Sequence, residues 1–255
     1  MRPVLMEALQ DPEKTILVII DMQNYFIHPA CRDHQEGITA VKPTLDVIER
    51  CRAEGIQIAW LNWGITDHDL RVMPPAVQRG FCRNRAALTG VGWHVGLGAE
   101  LPDGQGKCLW KGSWNAQIYD PLLDVASKND LYFDKNRPSG MWSPEEPLHR
   151  YLRESEKKTI LFAGVNTDQC VLGTLTDAYS WGFDCILLGD CAGTMTGFGA
   201  KELCDYNGMS SFVARSGMDY KLTRSFPVAT NYGFVATSQD FINAPKIDET
   251  PLPLL

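Results

Sequence analysis

Two short runs, TILVIID (15–21) and TILFAGV (159–165), constrain this chain more than anything else in it. Both are apolar and β-branched without polar alternation, so a strand formed by either must be covered on both faces. IQIAWLNW (56–63) and FDCILLGD (183–190) are of the same kind, DLYFDK (130–135) is a shorter strand, and YGFVATS (232–238) a last one. Helical patterns fall between them. In VKPTLDVIERCRAEG (41–55) the apolar positions Leu45, Ile48 and Cys51 recur at helical spacing, and Gly55 can cap the C-terminus. Further helices are expected over 115–127, over 144–155 with Leu148, Tyr151 and Leu152 on one face, over 171–181 and over 200–212. Strands alternating with helices predict a three-layer α/β/α fold with a doubly wound, mostly parallel sheet of Rossmann-like topology. No repeat or linker divides the chain, so residues 1–255 are expected to form one domain. The pattern lapses only over 64–113, where Pro74-Pro75 and many glycines suggest a loop-rich, lid-like excursion.

Charge and cysteine usage narrow the function. The balance of 24 basic against 31 acidic residues, a net −7, argues against a nucleic-acid or anionic-membrane partner. No apolar stretch approaches the roughly 18 residues of a membrane span. The opening MRPVLMEALQDPEKT has early acidic residues and no apolar core, so no secretory signal is expected and the cytoplasm is the expected compartment. With no CxxC and no zinc-type Cys/His spacing, reduced thiols are expected. Cys31, Cys51, Cys82, Cys108, Cys185, Cys191 and Cys204 read as small core residues.

Cys170 differs by position and company. In open parallel sheets, ligands bind beyond the carboxyl ends of the strands. Asp21 closes TILVIID, Lys135 closes DLYFDK, and Cys170 follows TILFAGV after a short turn. A thiol needs deprotonation to act as a nucleophile, and a place at a helix start is expected to lower its pKa. A nearby carboxylate can take the thiol proton and return it to a leaving amine. A lysine between them would hold the carboxylate and favour the thiolate. Backbone N–H groups in the turn before Cys170 could bind an oxyanion. That combination suits amide hydrolysis through a thioester, without a cofactor.

IIDMQNYF (19–26), DKNRPSGMW (134–142) and GVNTDQCVLGTLTDAYSWG (164–182) resemble the three signatures of the isochorismatase-like cysteine hydrolases, in the family's order. The likeness extends over roughly residues 15–240. The resemblance implies Asp21 as general base, Lys135 as the triad lysine and Cys170 as nucleophile. It also implies a non-proline cis peptide at Val165–Asn166, with the N–H groups of Asn166 and Cys170 as an oxyanion hole. NWGITDHD (62–69), KGSWNAQIYDPL (111–122) and the serine-glycine of RPSGMW look most like the ureidoacrylate and peroxyureidoacrylate amidohydrolases and biuret-hydrolase-like members. Asn166 stands where the family more often has a small residue, and Met141-Trp142 where it more often has paired phenylalanines.

Around these segments, Gln23, Asn24, Tyr25, Phe26, Asn62, Trp63, Trp114, Trp142, Val165 and Asn166 are expected to shape a planar pocket for a small amide substrate. Lys111, in LWKGSW, is a rival to Lys135 and a candidate substrate contact. Asp67, His68 and Asp69 are metal-capable, as in nicotinamidase-type relatives. The next histidine after His68 is His94 in glycine-rich sequence, so a surface loop and no bound metal are expected. The main expectation is a cysteine amidohydrolase acting on a ureido or carbamoyl compound. Its alternatives are vinyl-ether hydrolysis of isochorismate and a non-catalytic binding module. A homo-oligomer, dimer or tetramer, is expected from the family.

Overall fold

The structure is a computed structural model describing residues 2–81, 96–207 and 232–245. Helix α1 (Arg2–Gln10) leads to β1 (Thr15–Ile20), a helical turn α2 (Asn24–Ile27), α3 (Gln35–Glu54) and β2 (Gln57–Trp63). Short helices α4 (Asp67–Val72), α5 (Pro75–Gln78) and α6 (Asp120–Leu123) precede β3 (Leu131–Lys135). Then follow α7 (Pro147–Glu154), β4 (Thr159–Val165), α8 (Leu172–Ser180), β5 (Asp184–Gly193), α9 (Ala200–Asn207), β6 (Phe234–Ala236) and α10 (Ser238–Ile242). The six strands form one sheet in the order β3-β2-β1-β4-β5-β6, every pair parallel, with helices on both sides. Among the described residues no helix is long and apolar enough to cross a membrane.

Burial explains why the two apolar runs take the centre. Every residue of β1 and β4 is buried, and they pair in register from Thr15↔Thr159 to Ile20↔Gly164. The edge strand β3 alternates instead: Tyr132 and Asp134 are exposed while Lys135 is buried. After β1 the chain winds outward to β2 and β3, and after β4 it winds the other way to β5 and β6. The connections therefore diverge between β1 and β4 and leave a crevice at their carboxyl ends. Gly164 permits the close approach there: its φ is +125°, and a Cβ on it would lie 2.0 Å from the Ile20 carbonyl oxygen.

Several expected boundaries move. Helix α3 begins at Gln35 and not at 41, running through Pro43, with the His34 ring accepting the Gly37 N–H at 2.9 Å as its cap. The predicted helix 115–127 is a 3₁₀ turn (Trp114–Ala116), an extended stretch and the short α6. Its backbone is drawn away by the β1 loop: Asn24 N–H donates to Gln117 O at 2.9 Å and Tyr119 N–H to Met22 O at 2.9 Å. Strand β5 continues past 190 to Gly193. The helix expected from 171 opens with a π-type turn, Thr167–Val171, before α8. Helix α9 is seen to Asn207, and 208–212 lie outside the described residues. Helix α1 was not expected, although Leu5, Ala8 and Leu9 bury at helical spacing. Within the excursion 64–113, α4 and α5 give order to the first half. In the second, Asn115 accepts the Leu109 N–H at 2.7 Å and donates to the Gln105 and Lys107 carbonyls, each at 2.8 Å.

Candidate active site

The divergence of β1 and β4 brings three distant residues together. Asp21, directly after β1, has φ +55°, a left-handed conformation that Asp tolerates better than most residues. Lys135 reaches the same point from the end of β3, and its Nζ lies 2.9 Å from Asp21 Oδ2. Both side chains are fully buried. The ammonium also sits 4.1 Å from the Trp63 ring centroid and donates to the Arg137 carbonyl at 3.2 Å. Cys170, on the π-type turn after β4, is 4% exposed and lies against Asp21, close enough for each to shift the other's titration. Below it, Thr174 Oγ1 donates to the Cys170 carbonyl at 2.8 Å and accepts the Gly140 N–H at 3.2 Å, tying the RPSGMW loop to α8.

Burial sets the electrostatics. It raises the Asp21 carboxyl above the ordinary range, although the Lys135 cation and the hydrogen bonds from Lys135 and Cys170 oppose it. It also pushes the Cys170 thiol up to about 12, against the pull of Lys135 and with the push of Asp21. The lowered thiol pKa expected from a helix start is therefore not found. Desolvation outweighs the Lys135 cation, and this favours the protonated thiol.

The turn between β4 and Cys170 is pinned from behind. The Val165–Asn166 peptide is cis. Asn166 Oδ1 accepts from the Met195 N–H at 3.1 Å and from His34 Nε2 at 2.8 Å. Since His34 Nδ1 accepts the Gly37 N–H, the ring is the neutral tautomer with its proton on Nε2. Burial lowers the His34 pKa, which keeps that tautomer. Two residues on, Thr194 Oγ1 donates to Asp168, and the Thr194 N–H donates to Glu36 at 2.9 Å. The starts of α3 and of the turn and the end of β5 are thus locked together.

A cavity of about 940 Å³ opens beside this group, with Trp63 and Asn166 in its wall along with Phe26, Arg32, Phe81 and Met195. Of the residues expected to bind substrate, Phe26, Trp63 and Asn166 line it. Gln23 does not: its side chain spans from Trp63 (N–H to Oε1, 3.0 Å) to the Trp63 and Ala116 carbonyls (2.8 and 2.7 Å) and is spent as a brace. Asn24 donates to the Trp114 carbonyl at 3.0 Å, and Tyr25 is buried under Phe81 and Arg32. Val165 is core, Trp114 packs edge-on to His28, and Trp142 is 46% exposed beneath Arg137. Met141, its neighbour, is buried. The excursion contributes Ala76, Val77, Gly80 and Phe81 to the wall. Arg32, His34 and Met195 carried no signal in the sequence: they lie outside the signature segments and meet only when α3 and β5 pack. Cys31, read as a core thiol, is half-buried in this wall, and Cys82 lies outside the described residues.

Lys111 is elsewhere. It pairs with Asp134 Oδ2 at 2.6 Å in a second cavity of about 430 Å³, whose wall also includes Asp69, Glu146 and part of Lys135. Asp69 closes a capping box with Thr66 and accepts from Asn136 at 2.6 Å. Burial alone would raise its pKa, but these hydrogen bonds lower it. Asp67 and His68 are exposed on α4, and His94 lies outside the described residues. Among the described residues no three His, Cys, Asp or Glu side chains gather at metal-binding distance.

Residues 15–206 match the family model described as "Isochorismatase domain". A cysteine hydrolase from Pseudomonas syringae pv. phaseolicola 1448A aligns over 91% of this chain and 92% of its own at 18% identity, with a TM-score of 0.62. N-carbamoylsarcosine amidase from Thermoplasma acidophilum aligns over 74% and 88% at 22% identity, TM-score 0.54. Nicotinamidase from Bacillus subtilis aligns over 74% and 91% at 19% identity, TM-score 0.54. At these identities the likeness is one of fold.

Proposed function

The chain belongs to the isochorismatase-like cysteine hydrolase family, and on that premise we propose that it hydrolyses the C–N bond of a small ureido- or carbamoyl-type amide through a Cys170 thioester. The observation that carries this reading is the fully buried Asp21–Lys135 pair in contact with Cys170 beside the cavity. Asp21 takes the thiol proton as Sγ bonds to the amide carbon, and the carbonyl electron pair moves onto oxygen. Because the thiol is held near 12, proton transfer and attack are coupled, and no standing thiolate is needed. The N–H groups of Asn166 and Cys170 receive the oxyanion. On collapse the C–N bond breaks and the amine leaves with the proton from Asp21. Asp21 then takes a proton from water, the oxygen attacks the thioester, and the sulfur recovers its proton. Lys135 keeps the carboxylate in place and balances its charge. Two proteins of the same fold are amidases, which is compatible with this chemistry.

The test is ammonia release from ureidoacrylate, biuret, carbamoyl amino acids and nicotinamide by wild type and Cys170→Ala, with intact-mass detection of an acyl adduct. Release from one member, lost in the variant, supports the thioester route. Isochorismate turnover that survives Cys170→Ala but not Asp21→Ala overturns it in favour of ether hydrolysis.

A further inference from the structure

The cavity wall carries a guanidinium that no acidic side chain among the described residues pairs with. Arg32 Nη2 donates to the Tyr25 hydroxyl at 2.8 Å, and its guanidinium carbon lies 4.5 Å from the Tyr25 ring centroid and 5.9 Å from that of Phe26. These contacts orient the planar group without balancing its charge. None of the ion pairs among the described residues includes Arg32, and its Nε is buried without a hydrogen bond. Asp33, also in the wall, is exposed and accepts from Gln35 at 2.7 Å. The same wall carries the apolar side chains of Phe26, Trp63, Val77, Phe81 and Met195 and the neutral polar ones of Gln169 and Thr196. Arg32 is half-buried, and an anion bound in the cavity would balance its charge.

A second donor stands in the same wall. Asn166 Oδ1 is already occupied by His34 and by the Met195 N–H, so the unspent group of its amide is the Nδ2–H₂. Arginine pairs with carboxylates through two parallel N–H···O bonds, a geometry that neutral groups do not match. We propose that the amide substrate carries a carboxylate, gripped by Arg32 with the Asn166 amide as second donor, and that Arg32 sets the preference for anionic over neutral amides. This rests on the amidase reading for turnover, but the anion site itself does not require it.

Binding and turnover therefore separate the two. The Cys170→Ala protein is titrated calorimetrically with malonamate, succinamate, glutaramate and N-carbamoylglycine, each against its neutral diamide or methylamide counterpart. At least one acid binds about 10- to 100-fold tighter than its neutral partner, the ratio a charge-assisted bidentate contact supplies. That ratio falls to within about 3-fold of unity in Arg32→Gln/Cys170→Ala and is partly restored by Arg32→Lys, which keeps the charge but not the fork. With Cys170 intact, Arg32→Gln raises KM for the preferred acid far more than it lowers kcat. Equal binding of acid and neutral members across the whole series overturns the proposal, as does an Arg32→Gln effect that weakens both alike. Anion binding that depends on Arg32, with no ammonia released, sustains the site and overturns the amidase reading alone.

Discussion

Two lysine–aspartate pairs stand at the same end of the sheet and differ in almost everything but chemistry. Lys135–Asp21 at 2.9 Å is fully buried, whereas Lys111–Asp134 at 2.6 Å leaves 63% and 43% of its side chains in water. Asp134 and Lys135 are adjacent on β3, so the alternation of one edge strand sends one to the surface and one to the centre. The shorter distance belongs to the weaker device. Water screens the outer pair, while the inner pair acts at low dielectric, where removing one member strands the other.

The comparison is broken or sharpened in order of effect. Lys135→Met is expected to cost about 3–5 kcal/mol in urea unfolding and to abolish hydrolysis, because Asp21 is left buried and alone. Lys111→Met is expected to cost at most about 1 kcal/mol. Similar losses from the two would remove the distinction.

His34 gives the next effect. Its folded pKa lies below the unfolded value of about 6.5, so its contribution to stability is complete above that value and is lost as pH falls through it. Thermal unfolding at pH 7.5 and 5.5 should show this acid-side loss in wild type and a smaller one in His34→Gln; equal losses would show that other groups cause it.

For the reaction itself, the acid limb of kcat/KM should lie above the ordinary aspartate value of 3.8, since the proposed role of Asp21 as base requires it ionised and burial raises it. A limb at the ordinary value would exclude Asp21 as the base. Thiol labelling sharpens the same contrast in burial. Iodoacetamide at pH 7 should modify Cys31, half-buried in the cavity wall, before Cys170, whose thiol is buried and held near 12. This reverses the order expected from an activated helix-start thiolate, and peptide mapping reads it directly. Smallest of all, 1 M salt should reduce the Lys111 contribution by a few tenths of a kcal/mol and leave the Lys135 cost unchanged.

What was legible in the sequence follows from locality. β1 and β4 could be read because a continuous apolar run has one stable destination, and Asp21 and Lys135 because a charge at the end of such a strand is conspicuous. The stretch 115–127 was misread because Ile118 and Leu122 imitate a helical stripe, while the groups that unwind it, Met22, Gln23 and Asn24, are about ninety residues away in the chain. Gln23 and Tyr25 sit inside a signature segment yet are structural, a distinction that only their hydrogen-bond partners reveal.

By itself, then, the sequence determined the parallel α/β architecture and marked Asp21, Cys170 and two rival lysines, Lys135 and Lys111, as candidates, since those depend on hydrophobic runs and on residue types at strand ends. The tertiary structure alone decided which lysine is buried, which way the Cys170 pKa moves, and that Arg32, His34 and Asn166 share one wall. Dielectric environment is a property of everything packed around a group, and no window of neighbouring residues contains it.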